Sequence, residues 1–152
     1  MIKDRKKLNL GFSLVEVLVV IAIFGSLAVF SLTGINKKRS DNVLENAQAS
    51  LLIALEKARS HSQAGIGTNG YGVSIENTTF TIFEVGTTTK NITTDFNRLI
   101  SATPTPITIE FKRIKGTATS TKAFPISIII ENKLNKATTT INIFEDGRIT
   151  TP

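Results

Sequence analysis

The sequence predicts an α+β fold, in which one long N-terminal helix, apolar in its first half and amphipathic in its second, packs on an antiparallel β-rich head. Residues 13–62 contain no proline and keep a helical pattern throughout. Residues 71–150 consist mostly of short runs that alternate apolar and polar side chains, which is typical of strands. The chain has 152 residues, enough for one modest core and an appendage.

Composition narrows the function classes. The chain has no cysteine, which excludes a disulfide framework and a thiolate metal site. The formal net charge is +6, but half of it lies before Gly11, where four basic residues stand against one acidic residue. A charge concentrated in a leader is weak support for a nucleic-acid-binding surface.

Residues 1–11 form a basic leader, and an apolar segment follows it. Residues 12–35 carry a single charged side chain, Glu16, and a membrane-spanning helix needs roughly 20 apolar residues. The leader favours an N-terminus in the cytoplasm and a head outside the inner membrane, although the basic residues 37–39 weaken that orientation. A lone acid within a membrane helix costs about 2.5–3.5 kcal/mol, so Glu16 needs a partner.

Three interpretations of this segment compete. It could be a secretory signal peptide cut after Ala28, where small residues alternate, or a plain membrane anchor. It could also be cut between Gly11 and Phe12, which would leave the apolar helix in place and create an α-amine at Phe12. Glu16 lies four residues further on, about one helical turn, so its compensating charge could be an α-amine, its own or a neighbour's.

Residues 11–16 read Gly-Phe-Ser-Leu-Val-Glu and resemble the prepilin peptidase site of type IV pilins and type II secretion pseudopilins, with Ser13 in place of the usual threonine. The resemblance implies cleavage between Gly11 and Phe12, N-methylation of Phe12, and pairing of Glu16 with the α-amine of an adjacent subunit. It also implies four partners, namely prepilin peptidase, other pilin or pseudopilin subunits, an inner-membrane assembly platform and the lipid bilayer. No cofactor or metal is expected.

The second half of the helix, residues 36–64, is amphipathic. Its apolar side chains recur every three or four residues, so one helix should run from about Ser13 to Ser62, roughly 75 Å at 1.5 Å per residue. The glycines of residues 65–70 then end it. The predicted apolar stripe consists of Leu44, Ala47, Leu51, Ala54 or Leu55, and Ala58.

The head, residues 65–152, should contain about six strands. Residues 71–76 and 79–85 form a predicted hairpin around Asn77-Thr78, and Asp146-Gly147 is a strong turn signal between two strands. Short turns favour antiparallel pairing. The remaining predicted strands and loops are strands 107–112, 124–131, 138–144 and 149–150, and loops 86–95 and 116–122.

A second resemblance concerns the head. Residues 51–60, 71–73 and 146–149 are similar to the GspH/FimT group of minor pseudopilins. This resemblance implies a long helix against a head of two β-sheets, and a minor subunit rather than an enzyme. The machine served could be type II secretion, a type IV pilus or DNA uptake.

Lys112, Arg113 and Lys115 form the one basic cluster of the head. The simpler interpretation is a solvated strand edge, where lysines discourage edge pairing. The alternative is a DNA-contacting patch, because some FimT-like proteins bind DNA, although the cluster is small for many phosphate contacts. The sequence therefore predicts a structural, non-enzymatic pilin or pseudopilin subunit, with a FimT-like DNA-binding pilin or a membrane-anchored envelope module as alternatives.

Overall fold

The computed structural model describes residues 13–87 and 91–152, with residues 28–37 described by their backbone alone. Internal contacts divide the chain into residues 1–38 and residues 39–152. We call the second unit the head unit. Gly11 and Phe12 lie outside the described residues.

The long helix α1 runs from Leu14 to Gln63, which confirms the predicted helix to within a residue at each end. It begins where the Ser13 carbonyl accepts the Glu16 N–H at 3.0 Å. It ends before Gly65, which has a left-handed φ of 70°, a conformation that glycine adopts without steric cost. Within the head unit the predicted apolar stripe of α1 is buried, including both Ala54 and Leu55.

Nine strands follow the helix in the described part of the chain. They are β1 Gly70–Ile75, β2 Thr79–Glu84, β3 Ile92–Asp95, β4 Ile100–Thr103, β5 Ile107–Lys112, β6 Ala118–Ser120, β7 Ile126–Asn132, β8 Thr138–Ile143 and β9 Ile149–Thr150.

The strands form two antiparallel sheets. The first has the order β3-β2-β1-β5-β6 and the second the order β4-β7-β8-β9. Alternation along the strands sets which face is buried: in β7, Ile126, Ile128 and Ile130 are buried while the intervening residues are exposed or half-buried. The inner faces of both sheets and the helix stripe belong to a single hydrophobic core, so the structure is a helix packed on antiparallel sheets.

Both predicted tight turns are confirmed. Ile75 of β1 pairs with Phe80 of β2 across the Asn77-Thr78 turn. Ile143 of β8 pairs with Ile149 of β9, and the turn between them uses a left-handed φ of 81° at Gly147. A glycine after aspartate supplies this conformation at little cost.

The prediction missed three short strands, two of which lie in segments that were predicted to be loops. β3 lies in the predicted loop 86–95 and β6 in the predicted loop 116–122, and β4 was not predicted. All four residues of β3 are exposed, so no burial alternation marks it. Pairing with β2 holds it at the sheet edge, with the Thr81 and Thr93 hydroxyl oxygens 2.9 Å apart. β6 has only three residues, too few to show a period.

Candidate assembly and processing site

The start of α1 is apolar and uncovered. Every residue from 13 to 27 is exposed, and Leu14 is 76% exposed. A helix that is apolar on all sides is normally buried in lipid or in other protein. The large apolar residues exposed in this stretch are Leu14, Val15, Val17, Leu18, Val19, Val20, Ile21, Ile23, Phe24 and Leu27.

Glu16 is the only charged residue in this stretch, and it lies in the first turn of α1. The unpaired N–H groups at a helix start favour a nearby carboxylate. The exposed position of Glu16 also leaves its carboxylate open to a cation from another molecule. The predicted processing residues, Gly11 and Phe12, lie outside the described residues, so their roles stay predictions.

Among the described residues, we find no helix that combines the length and hydropathy required to cross a membrane. The predicted membrane segment, residues 12–35, extends beyond the residues whose side chains are described.

The predicted basic cluster lies at the turn between β5 and β6. Lys112 and Lys115 are exposed. The Arg113 guanidinium instead donates through Nε to the Gly67 carbonyl at 3.1 Å and through Nη2 to the Gly65 carbonyl at 3.1 Å. Arg113 therefore ties the loop after α1 to the first sheet, and two of the three cations remain directed at solvent.

Three buried polar residues that the sequence analysis did not single out hold the head together: Ser62, Glu84 and Asn132. Ser62 Oγ donates to the Ala58 carbonyl at 2.9 Å and accepts the Tyr71 N–H at 2.7 Å. A serine in the last turn of a helix is an ordinary residue in sequence, and only the fold shows which strand it meets.

Glu84 and Asn132 connect distant segments in the same way. Oε1 of Glu84 accepts the Thr68 N–H at 2.9 Å. Nδ2 of Asn132 donates to the carbonyl and the hydroxyl oxygens of Ser40, both at 2.9 Å, while its Oδ1 accepts the Leu134 N–H at 3.0 Å. Because buried polar groups are costly unless hydrogen-bonded, these contacts fix Ser40 of α1 and the loop after α1 on the sheets.

His61 is the single histidine of the chain. Its ring is half-buried and packs edge-on against the Tyr71 ring, with 5.1 Å between centroids. No group of three or more histidine, aspartate and glutamate side chains in the described residues could hold a metal ion. An open groove of the described head lies between the turns after β5 and β8, beside Lys112, Phe144 and Arg148.

Residues 6–32 match the prokaryotic N-terminal methylation motif. This motif is a type IV pilin-like prepilin signal, and the match supports the predicted relation to pilins and pseudopilins. The motif indicates processing by prepilin peptidase and assembly with other pilin subunits. It also indicates that membrane anchoring comes before assembly. Proteins with this signal are structural, non-enzymatic subunits, which confirms the prediction that the chain is not an enzyme. Neither the curated proteins nor the solved structures give a match.

Proposed function

We propose that this protein is a minor pilin or pseudopilin, cut between Gly11 and Phe12, methylated on the new Phe12 amine, and assembled into a type II secretion pseudopilus or a type IV pilus. The methylation motif at residues 6–32 supports the processing step. The structural observation that supports assembly is Glu16, an exposed carboxylate in the first turn of α1, where the apolar residues between 14 and 27 are also exposed.

In this proposal the apolar start of α1 has two successive environments. In the bilayer its side chains face lipid, and the charge of Glu16 is offset by a nearby α-amine. In the filament the same side chains pack against helices of other subunits, and Glu16 meets the methylated amine of a neighbour. An ion pair shielded from water discriminates strongly against misplaced partners, so Glu16 sets the register of the incoming subunit.

The head supports assignment to the GspH/FimT-like minor subunits. That resemblance implies a helix against two β-sheets, and the described head has two antiparallel sheets sharing one core with α1. The proposal covers both type II secretion and type IV pili, and the phenotype of a gene deletion distinguishes them. Loss of protein export would assign the subunit to type II secretion, whereas loss of surface pili or of DNA uptake alone would assign it to another machine.

The first experiment is the intact mass and N-terminal sequence of the mature protein. We expect a chain that begins at Phe12 and carries one added methyl group. Gly11→Leu should keep its leader, because the residue at the cut is changed. A Gly11→Leu chain that still loses its leader would contradict the proposed cleavage position.

The second experiment tests the pairing of Glu16. Glu16→Leu should insert and be cleaved normally but be missing from purified filaments. The matched control is Glu45→Leu, which removes another exposed glutamate of the same helix and should assemble. Incorporation of Glu16→Leu at the level of the control would refute the charge-pairing role.

A further inference from the structure

The head unit carries a basic surface at the point where the chain enters it. The turn between β7 and β8 packs there beside residues 40–41 of α1, through the contacts of Asn132 with Ser40 and through Nδ2 of Asn135, which donates to Oδ1 of Asp41 at 3.1 Å. We call this surface the proximal surface. It consists of Arg39, Asp41, Arg98, Glu131 and the turn residues 133–136.

Four cations of the proximal surface are exposed: Arg39, Arg98, Lys133 and Lys136. Arg98 belongs to it because the carbonyl of the next residue, Leu99, accepts the Lys133 N–H at 2.7 Å. The Lys136 side chain remains 74% exposed although Nζ lies 3.1 Å from Oε1 of Glu131. With Asp41 and Glu131 as its acids, the surface has a net charge of +2.

An apolar side chain projects between these cations. Leu134 is 67% exposed and lies at the tip of the turn, between Lys133 and Lys136. Basic residues around an exposed leucine are suited to a surface that is anionic outside and apolar just beneath, as phospholipid headgroups and acyl chains are.

Chain connectivity brings this surface close to the bilayer. The predicted membrane segment ends at Ile35, four residues before Arg39. Four residues span about 6 Å as helix and at most about 14 Å fully extended. The headgroup layer on one side of a bilayer is about 5–8 Å deep, so Arg39 cannot lie far from it.

We propose that the proximal surface binds anionic phospholipid headgroups while the subunit waits in the membrane, with Leu134 inserted among them, and releases them on assembly. This inference rests on the proposed function, because it requires residues 12–35 to be anchored in lipid. It gives the basic residues that follow the apolar segment a role on the outer side of the membrane.

The chain supplies its own control. Ile114 is 68% exposed, lies between Arg113 and Lys115 at the tip of another turn, and its N–H donates to the Ser62 carbonyl at 2.7 Å. Ser62 and Ser40 are 22 residues apart on α1, or about 33 Å. The two tips are thus alike in exposure and charge but lie at opposite ends of the head.

The test uses the full chain, which has no native cysteine, in nanodiscs of phosphatidylglycerol and phosphatidylcholine that contain a spin-labelled quencher lipid. A fluorophore is attached in turn to Leu134→Cys, Ile114→Cys and Ser26→Cys. We expect quenching at positions 26 and 134 and none at 114. Quenching at 134 should be lost in pure phosphatidylcholine, in about 1 M salt, where charges are screened beyond about 3 Å, and after Lys133→Gln with Lys136→Gln.

Three other results would each overturn the inference in a distinguishable way. Quenching at 26 with none at 134 would leave the anchor intact and refute the lipid contact, as expected if the surface instead serves a protein partner. Quenching at 134 that survives the two lysine substitutions would refute recognition by charge. Absence of quenching at 26 would refute the membrane anchor itself and the inference with it.

Discussion

Replacing Asn132 by alanine should release the start of the head-bound part of α1. The Asn132 side chain is fully buried and makes three hydrogen bonds, two to Ser40 and one to the Leu134 N–H. Each is worth about 0.5–1.5 kcal/mol net, and a buried group left unpaired costs more. Asn132→Ala should therefore lower the free energy of unfolding by about 2–4 kcal/mol.

Ser40→Ala is the matched variant. It removes the hydroxyl but leaves the Ser40 carbonyl to accept from Asn132, so its cost should be about 1 kcal/mol. Combined with Asn132→Ala it should cost almost nothing further, because the partner is already gone. The double-mutant cycle should then give a coupling energy of about 1 kcal/mol.

The assay is urea unfolding of the full chain in detergent, followed through the single tyrosine, Tyr71, which is buried beside Ser62. An Asn132→Ala chain no less stable than Ser40→Ala would refute the reasoning. Strict additivity of the two substitutions would refute the direct contact.

Two further predictions use the same assay. Gly147→Ala should lower the free energy of unfolding by at least about 2 kcal/mol, because Gly147 has a left-handed φ and an added Cβ would press on the Gly116 carbonyl. The control is Gly25→Ala, which should not destabilise the protein because the space around Gly25 is open. Equal effects of the two substitutions would contradict the geometry. Arg113→Gln should lower the free energy of unfolding by about 1 kcal/mol, because its hydrogen bonds to the Gly65 and Gly67 carbonyls are lost. Lys115→Gln should change it by no more than about 0.5 kcal/mol. A larger loss of stability for Lys115→Gln would argue against the role of Arg113 in holding the loop.

The helix could be predicted almost completely from sequence, since its signals are local. Fifty residues without proline fix its extent, and the spacing of Leu44, Leu51 and Ala58 fixes the buried stripe. The longer strands were equally accessible, because alternation in β5 and β7 reports the pleat directly.

The short edge strands and the buried polar contacts could not be predicted in this way. β3 has no buried face, so its pairing depends on β2 and leaves no pattern in its own residues. Asn132 contacts Ser40 across 92 residues of sequence, and neither residue type signals the other. Arg113 illustrates the same point, because a basic residue looks like a solvent-exposed cation until the loop it ties is in place.

For the candidate site, the sequence indicated the function, and the structure showed which of the surrounding residues are exposed. Residues 11–16 carry the processing signal in their order alone, which is why the motif match at residues 6–32 agrees with it. The exposure of the helix around Glu16 is a property of the folded monomer. The proximal surface needed the fold, because its cations come from three separate segments of the chain.

The separation of Ser40 from Asn132 along the chain also affects the timing of folding. Ribosomes add about 5–20 residues per second, so the 92 residues between Ser40 and Asn132 take about 5–18 s to make. For most of that interval Leu51, Leu55 and the rest of the stripe have been synthesised, but β7 and β8, which belong to the same core, have not. The nascent chain thus passes through a period in which α1 is complete but its apolar stripe is not yet fully covered. A holding factor or rapid export would be most needed during that period.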